Sequence, residues 1–132
     1  MRILAASGKR ILLVEDNELN REIAEAILEE TGFIVELAPD GTDAVDMVSR
    51  SEEHYYDAVL MDVQMPVMDG YEATRTIRAM PRQDVNKLPI IAMTANAMEE
   101  DRENALKSGM NNHIAKPLDM DLFMKILGKY LR

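Results

Sequence analysis

Leu60-Met61-Asp62-Val63-Gln64-Met65-Pro66-Val67-Met68-Asp69-Gly70 decides how the rest of the chain is read. The run from Asp57 to Met61 has the length and apolar character of a buried strand, and it delivers Asp62 to a sharp break at Met65-Pro66. In an open parallel sheet a residue at that place sits at the carboxyl end of its strand, where such folds hold their ligands. A carboxylate there acts as a metal ligand, a nucleophile or a turn former. Which of these applies depends on what the rest of the chain brings to the same rim.

Working outward, short apolar runs alternate with longer amphipathic segments. Arg10 to Val14 reads as a first strand ending in Glu15-Asp16-Asn17, after which Leu19, Ile23, Ala26 and Ile27 recur at helical spacing until Thr31-Gly32. Phe33 to Leu37 is a second strand. Asp40 suits the N-cap of a helix that turns Ala44, Val45 and Val48 inward. Beyond the third strand the pattern predicts a helix from Gly70 to about Met80 and a polar loop containing Pro81. A fourth strand follows over Leu88 to Met93, then a charged helix from Asn96 to Ser108 closed by Gly109. Asn112 to Ala115 is short enough for an edge strand. Leu118, Leu122, Phe123, Ile126, Leu127 and Tyr130 draw the apolar stripe of a last helix. Five strands alternating with five helices imply a parallel α/β sheet with helices on both faces, because right-handed crossovers lay each helix on the sheet.

The composition narrows the function. A chain of 132 residues forms one domain large enough for its own core. It has no cysteine, so thiolate metal sites and disulfide scaffolds are excluded and a cytoplasmic location is the default. A net charge of -9 disfavours nucleic acid and anionic membranes as partners of this domain. No run approaches the roughly 20 apolar residues of a membrane span. Residues 1–8 read as a linker remnant and 9–132 as the domain.

The strand ends can then be compared. The first ends in Glu15-Asp16, the third in Asp62, the fourth in Thr94-Ala95 and the fifth in Lys116-Pro117. Singly, these are ordinary helix caps and a solvated lysine. Together they bring three carboxylates to one place, where each like-charge pair costs on the order of 4 kcal/mol at about 4 Å. A hard divalent cation relieves that repulsion; oxygen ligands with remaining waters suit magnesium, with manganese a possible substitute. Lys116 adds a second positive charge and Thr94 a hydroxyl. The set is suited to attack by Asp62 on a phosphoryl group.

In this order and spacing, Ile11-Leu12-Leu13-Val14-Glu15-Asp16-Asn17, Asp62 with Met65-Pro66 and Met68-Asp69-Gly70, Thr94-Ala95 and Lys116-Pro117 resemble the receiver domains of two-component response regulators. The wording of Met110 to Pro117 is most similar to receivers attached to hybrid sensor histidine kinases. The resemblance implies a flavodoxin-like sheet of order 2-1-3-4-5 and a phosphorelay domain that takes phosphate rather than an enzyme acting on external substrates. It makes Asp62 the phosphoacceptor, Asp16 the principal metal ligand, Glu15 a ligand through water, and the Gln64 carbonyl the last protein ligand. Thr94 would hold a phosphoryl oxygen, Ala95 would leave room for it, and Lys116 would pair first with Asp62 and then with the phosphoryl group. A cis peptide is implied before Pro117. The implied donors are a histidine kinase, a histidine phosphotransfer domain or a small phosphodonor. The turns that carry the site border the first helix, so Leu19, or whichever apolar residue of its first turns is exposed, is expected at the centre of the docking surface. His113 departs from the family, which commonly has Tyr or Phe there as a rotameric switch.

Other readings lose ground on particular residues. A phosphohydrolase of the haloacid dehalogenase type needs an acid two residues after its nucleophile, where this chain has Gln64. A flavin mononucleotide binder lacks a phosphate-cradling loop after strand one, where Glu15-Asp16 would repel the phosphate. A degenerate receiver used only for docking would have no need of the complete residue set.

Overall fold

The computed structural model describes residues 8–65, 68–95, 99–116 and 118–130. Five strands, β1 (Arg10–Val14), β2 (Ile34–Ala38), β3 (Ala58–Asp62), β4 (Ile90–Thr94) and β5 (Asn112–Ala115), form one parallel sheet of order β2-β1-β3-β4-β5. Around it run α1 (Glu18–Thr31), α2 (Gly41–Arg50), α3 (Gly70–Arg78), α4 (Gln83–Asn86), α5 (Glu99–Ser108) and α6 (Met120–Leu127). The expected architecture and strand order are therefore present.

Local chemistry sets the helix starts. Asn17, Asp40, Asp69 and Asp119 are extended N-caps whose side chains accept from the backbone N–H three residues on, at 2.9, 2.7, 2.9 and 3.2 Å. Gly32 ends α1 and Gly109 follows α5, both in the left-handed conformation that costs glycine least.

Alternation along the buried strands fills two cores. Leu12, Val14, Val59, Met61, Ile90 and Ala92 pack with Ala44, Val48, Ala73, Ile77 and Ala105 of α2, α3 and α5. Ile11, Leu13, Leu60, Ile91, Met93 and Ile114 face α1 and α6, where Phe33 and Phe123 meet edge to face at 6.1 Å.

Several sequence expectations need correction. The polar stretch after α3 holds a one-turn helix, α4, so the described helices number six and not five. It is stabilised by the Asn86 N–H bond to Arg82 O at 2.9 Å and by Arg78, whose Nη1 donates to Val85 O and Asn86 O at 2.9 and 3.0 Å. Side-chain chemistry from a neighbouring helix is invisible to periodicity. Strands β2 and β3 run one residue later than expected and β4 starts two residues later, so Asp62 is the last residue of its strand and not the first beyond it. Leu122, placed on the inward stripe of α6, is 44% exposed, because Phe123, Ile126 and Leu127 already fill that face. Residues 1–7, Pro66, the Asn96 start of the charged helix and the peptide before Pro117 lie outside the described residues.

Candidate phosphoryl-acceptor site

Strand register assembles the site. Val14 pairs with Met61, which brings the next residues, Glu15 and Asp62, side by side. Asp62 pairs with Met93 and Thr94 with Ala115, which sets Thr94 at the end of β4 and Lys116 just past the end of β5, each one step further along the rim. The Lys116 N–H donates to Thr94 O at 2.8 Å and the Val63 N–H to Met93 O at 3.1 Å, so the ladder holds beyond the strand ends.

Carboxyl oxygens of Glu15, Asp16 and Asp62 lie within 4.8 Å of one another, with Glu15 and Asp62 buried and Asp16 exposed. Lys116 Nζ bridges the two buried groups, 3.0 Å from Glu15 Oε1 and 3.1 Å from Asp62 Oδ2. Asp62 Oδ1 accepts from the Gln64 N–H at 3.0 Å and Glu15 Oε2 from the Asn17 N–H at 3.2 Å. Thr94 is buried, whereas Ala95 next to it is exposed. All four charged residues of the expected site thus come together.

Burial, and after it the hydrogen bond with the Glu15 carboxyl, pushes Asp62 up to about 7, against the pull of the Gln64 N–H and Lys116. Burial would raise Glu15 as well, but its hydrogen bonds with Asp62, Lys116 and the Asn17 N–H outweigh it and leave this carboxyl lowered. Burial opposes the charge of Lys116, yet the two carboxylates hold its ammonium above the ordinary value. The pocket therefore gathers more negative charge than one lysine neutralises, and charge on the Asp62 carboxyl is disfavoured there. A divalent cation would relieve that excess, and an all-oxygen donor set with an exposed carboxylate at its mouth fits magnesium.

Two residues support the site in ways that the sequence pattern does not assign to them. Arg21 of α1 donates from Nη1 to Glu15 O at 2.9 Å and fixes the loop that carries Glu15 and Asp16. Gly70 opens α3 directly against the acceptor strand: a Cβ there would lie 2.4 Å from Asp62 O and 2.8 Å from Val63 Cα. The Asp69-Gly70 pair was the available signal, an N-cap followed by a residue with no side chain. His113 lies half-buried on β5, with its N–H bonded to Asn112 Oδ1 at 2.8 Å and its Nδ1 buried without a hydrogen-bond partner among the described residues.

The response regulator receiver domain family model matches residues 11–128, and the chain belongs to that family. It is 46% identical over 123 residues to probable histidine kinase 2 of Oryza sativa subsp. japonica, covering 85% of this chain and 12% of that protein. It is 36% identical over 121 residues to hybrid signal transduction histidine kinase I of Dictyostelium discoideum, covering 90% and 7%. The chain thus spans a small part of the curated relatives it matches. Among solved structures, the receiver domain of a sensor histidine kinase from Pseudomonas aeruginosa, with magnesium coordinated in its active-site cleft, is 47% identical with a TM-score of 0.82, covering 94% and 98%. A Saccharomyces cerevisiae response regulator receiver, co-crystallised with a histidine phosphotransfer protein, is 28% identical with a TM-score of 0.82, covering 96% and 90%.

Proposed function

We propose that residues 9–132 form a magnesium-dependent phosphoryl acceptor and that Asp62 is the residue phosphorylated. The observation that carries this reading is the buried Asp62 carboxyl, 3.1 Å from Lys116 Nζ and grouped with Glu15 and Asp16. Asp16, Glu15, Asp62 and the Gln64 carbonyl would hold the cation, which when bound offsets charge on the phosphoryl oxygens. An Asp62 oxygen forms a bond to phosphorus as the phosphorus–nitrogen bond of phosphohistidine breaks and the imidazole leaves. Lys116 follows the charge from the carboxylate to the phosphoryl group. Thr94, one step along the rim, donates its hydroxyl to a phosphoryl oxygen and draws β4 inward, beside an Ala95 too small to obstruct entry.

His113 on the neighbouring strand adjusts to that shift. The exposed Gln64 two residues beyond Asp62 is no acid for a leaving group, which supports an acceptor over a hydrolase of small substrates. The yeast complex supports a helical phosphotransfer protein, or the histidine kinase that plays the same part, as donor. Such donors support a cytoplasmic setting. Leu19, 63% exposed on α1 beside the site, is the apolar centre of the docking surface.

Incubation with magnesium and acetyl phosphate, or with a beryllofluoride mimic, tests the assignment. Mass spectrometry should find one adduct on the wild type and none on Asp62→Asn. An undiminished adduct on the variant refutes it.

A further inference from the structure

The turn from β2 into α2 supplies none of the carboxylates grouped at the acceptor site, yet it touches both loops that carry the expected ligands. On one side the Glu15 N–H donates to Ala38 O at 3.2 Å, which continues the pairing of Val14 with Ala38 and ties the Glu15-Asp16 loop to the end of β2. On the other side Gly41, the buried first residue of α2, lies against Met68. A Cβ on Gly41 would stand 2.6 Å from Met68 O, 3.1 Å from Met68 Cγ and 3.3 Å from Ala73 Cβ. Met68 is tied to the acceptor strand in turn: two residues on, the Gly70 N–H donates to Val63 O at 3.3 Å, beside Gln64. Gly41 has no positive φ, so its backbone would suit alanine. The Met68 carbonyl, a backbone atom that no rotamer moves, is what leaves no room for a side chain.

Resting on the acceptor reading above, we infer that Gly41 is a positioning residue: it sets the spacing between Glu15-Asp16 and Gln64, and through it the site's relative affinity for magnesium over the larger calcium ion. Magnesium takes a near-octahedral set of oxygens at about 2.0–2.1 Å, whereas calcium accepts about 2.3–2.6 Å in looser arrangements. A few tenths of an ångström therefore separate a site that suits magnesium from one that suits calcium. A methyl on Gly41 would have to drive the Met68 backbone away by about 0.5 Å or more to reach ordinary contact. Because the turn stays tied to Glu15 through Ala38, that displacement opens the gap between the two loops. The widened site loses magnesium, which tolerates poor geometry least, and keeps most of its hold on calcium. Gly41 itself touches neither ion nor phosphoryl group.

Isothermal titration of the whole chain with magnesium chloride and with calcium chloride, without any phosphodonor, reads the two dissociation constants directly. In Gly41→Ala the magnesium constant should rise about tenfold, the low end for residues that support a metal's ligands. The calcium constant should rise less than about threefold, so the ratio of the two moves toward calcium. Val48→Ala, near the other end of α2, removes buried volume without touching Met68; it should lower stability and leave the ratio at the wild-type value. Met68→Gly loosens the same contact from the loop side and removes only a half-buried side chain, so it should shift the ratio as Gly41→Ala does. It decides the question if Gly41→Ala does not fold. Equal losses for both ions in Gly41→Ala, a wild-type ratio in Met68→Gly, or the same shift in Val48→Ala overturns the inference. If the wild type binds no magnesium, the acceptor reading loses its metal site and this inference falls with it; magnesium binding by the wild type with an unaltered ratio in the variants overturns the inference alone.

Discussion

Replacing Gly70 with alanine sets two effects of known sign against each other. At an ordinary helix position the change stabilises by about 0.4–1 kcal/mol, because the unfolded chain loses freedom. Here the added methyl would lie 2.4 Å from Asp62 O, 2.8 Å from Val63 Cα and 3.0 Å from Met61 Cγ. The first two are backbone atoms, of the last residue of buried β3 and of the residue after it, both held against Met93 of β4, so no rotamer change relieves the contact. Reaching the usual 3.5–4.0 Å separation requires about 1 Å of movement between α3 and β3, and overpacking of that kind costs about 1–3 kcal/mol. The cost wins, and the net loss should be about 1–2 kcal/mol, lowering the melting temperature by about 4–7 °C in a domain of this size. Gly128→Ala is the control: with a φ of -58° and its nearest contact at 3.3 Å, it should leave stability equal or slightly higher. Urea denaturation of both variants measures the difference. The movement also shifts Asp62, so acetyl phosphate labelling should slow in Gly70→Ala alone. A Gly70→Ala protein as stable as wild type refutes the idea that α3 is seated on the acceptor strand by the missing side chain.

The Asp62 carboxyl, raised to about 7, keeps its proton in the folded state while the unfolded chain releases it near pH 4. The stability it contributes is whole below about pH 4 and is lost as pH rises through about 7, so the metal-free chain should become less stable across that window. Asp62→Asn should abolish the decline. Magnesium should restore stability near neutrality by mass action, and less so in Asp16→Ala; melts with magnesium or with chelator check this, and a flat metal-free profile contradicts it. Arg78 donates to Gly109 O, Val85 O, Asn86 O and Asn111 Oδ1 at 2.9–3.0 Å, tying α3 to α4 and to the loop before β5. Arg78→Leu should cost about 2–4 kcal/mol in urea denaturation, since several acceptors lose their donor together. Arg78→Lys should recover little of it, because a single ammonium lacks the planar fork. A loss below about 0.5 kcal/mol in Arg78→Leu removes the clamp from consideration.

The sequence by itself determined the layout. The apolar runs from Arg10, Asp57 and Leu88, each followed by helical spacing, require a parallel α/β sheet, and Asp40 and Gly109 mark helix ends through properties of their own side chains. Glu15, Asp16, Asp62, Thr94 and Lys116, each ordinary by itself, were recognisable as site residues because together they stand where successive apolar runs stop, in an order and spacing that resemble one family. Only the tertiary structure decided what depends on distance between segments. The pairing of Val14 with Met61 is what sets Glu15 beside Asp62, and that closeness inside the protein is what raises one carboxyl while Lys116 bridges both. The α4 turn, the four acceptors of Arg78 and the exposure of Leu122 also escaped the sequence, since each depends on which surface of a distant element arrives nearby. Gly70 shows the division most plainly. Its place after Asp69 is visible in the chain, but the reason it must lack a side chain is the Asp62 carbonyl eight residues earlier, which only packing brings within 2.4 Å of where a Cβ would stand.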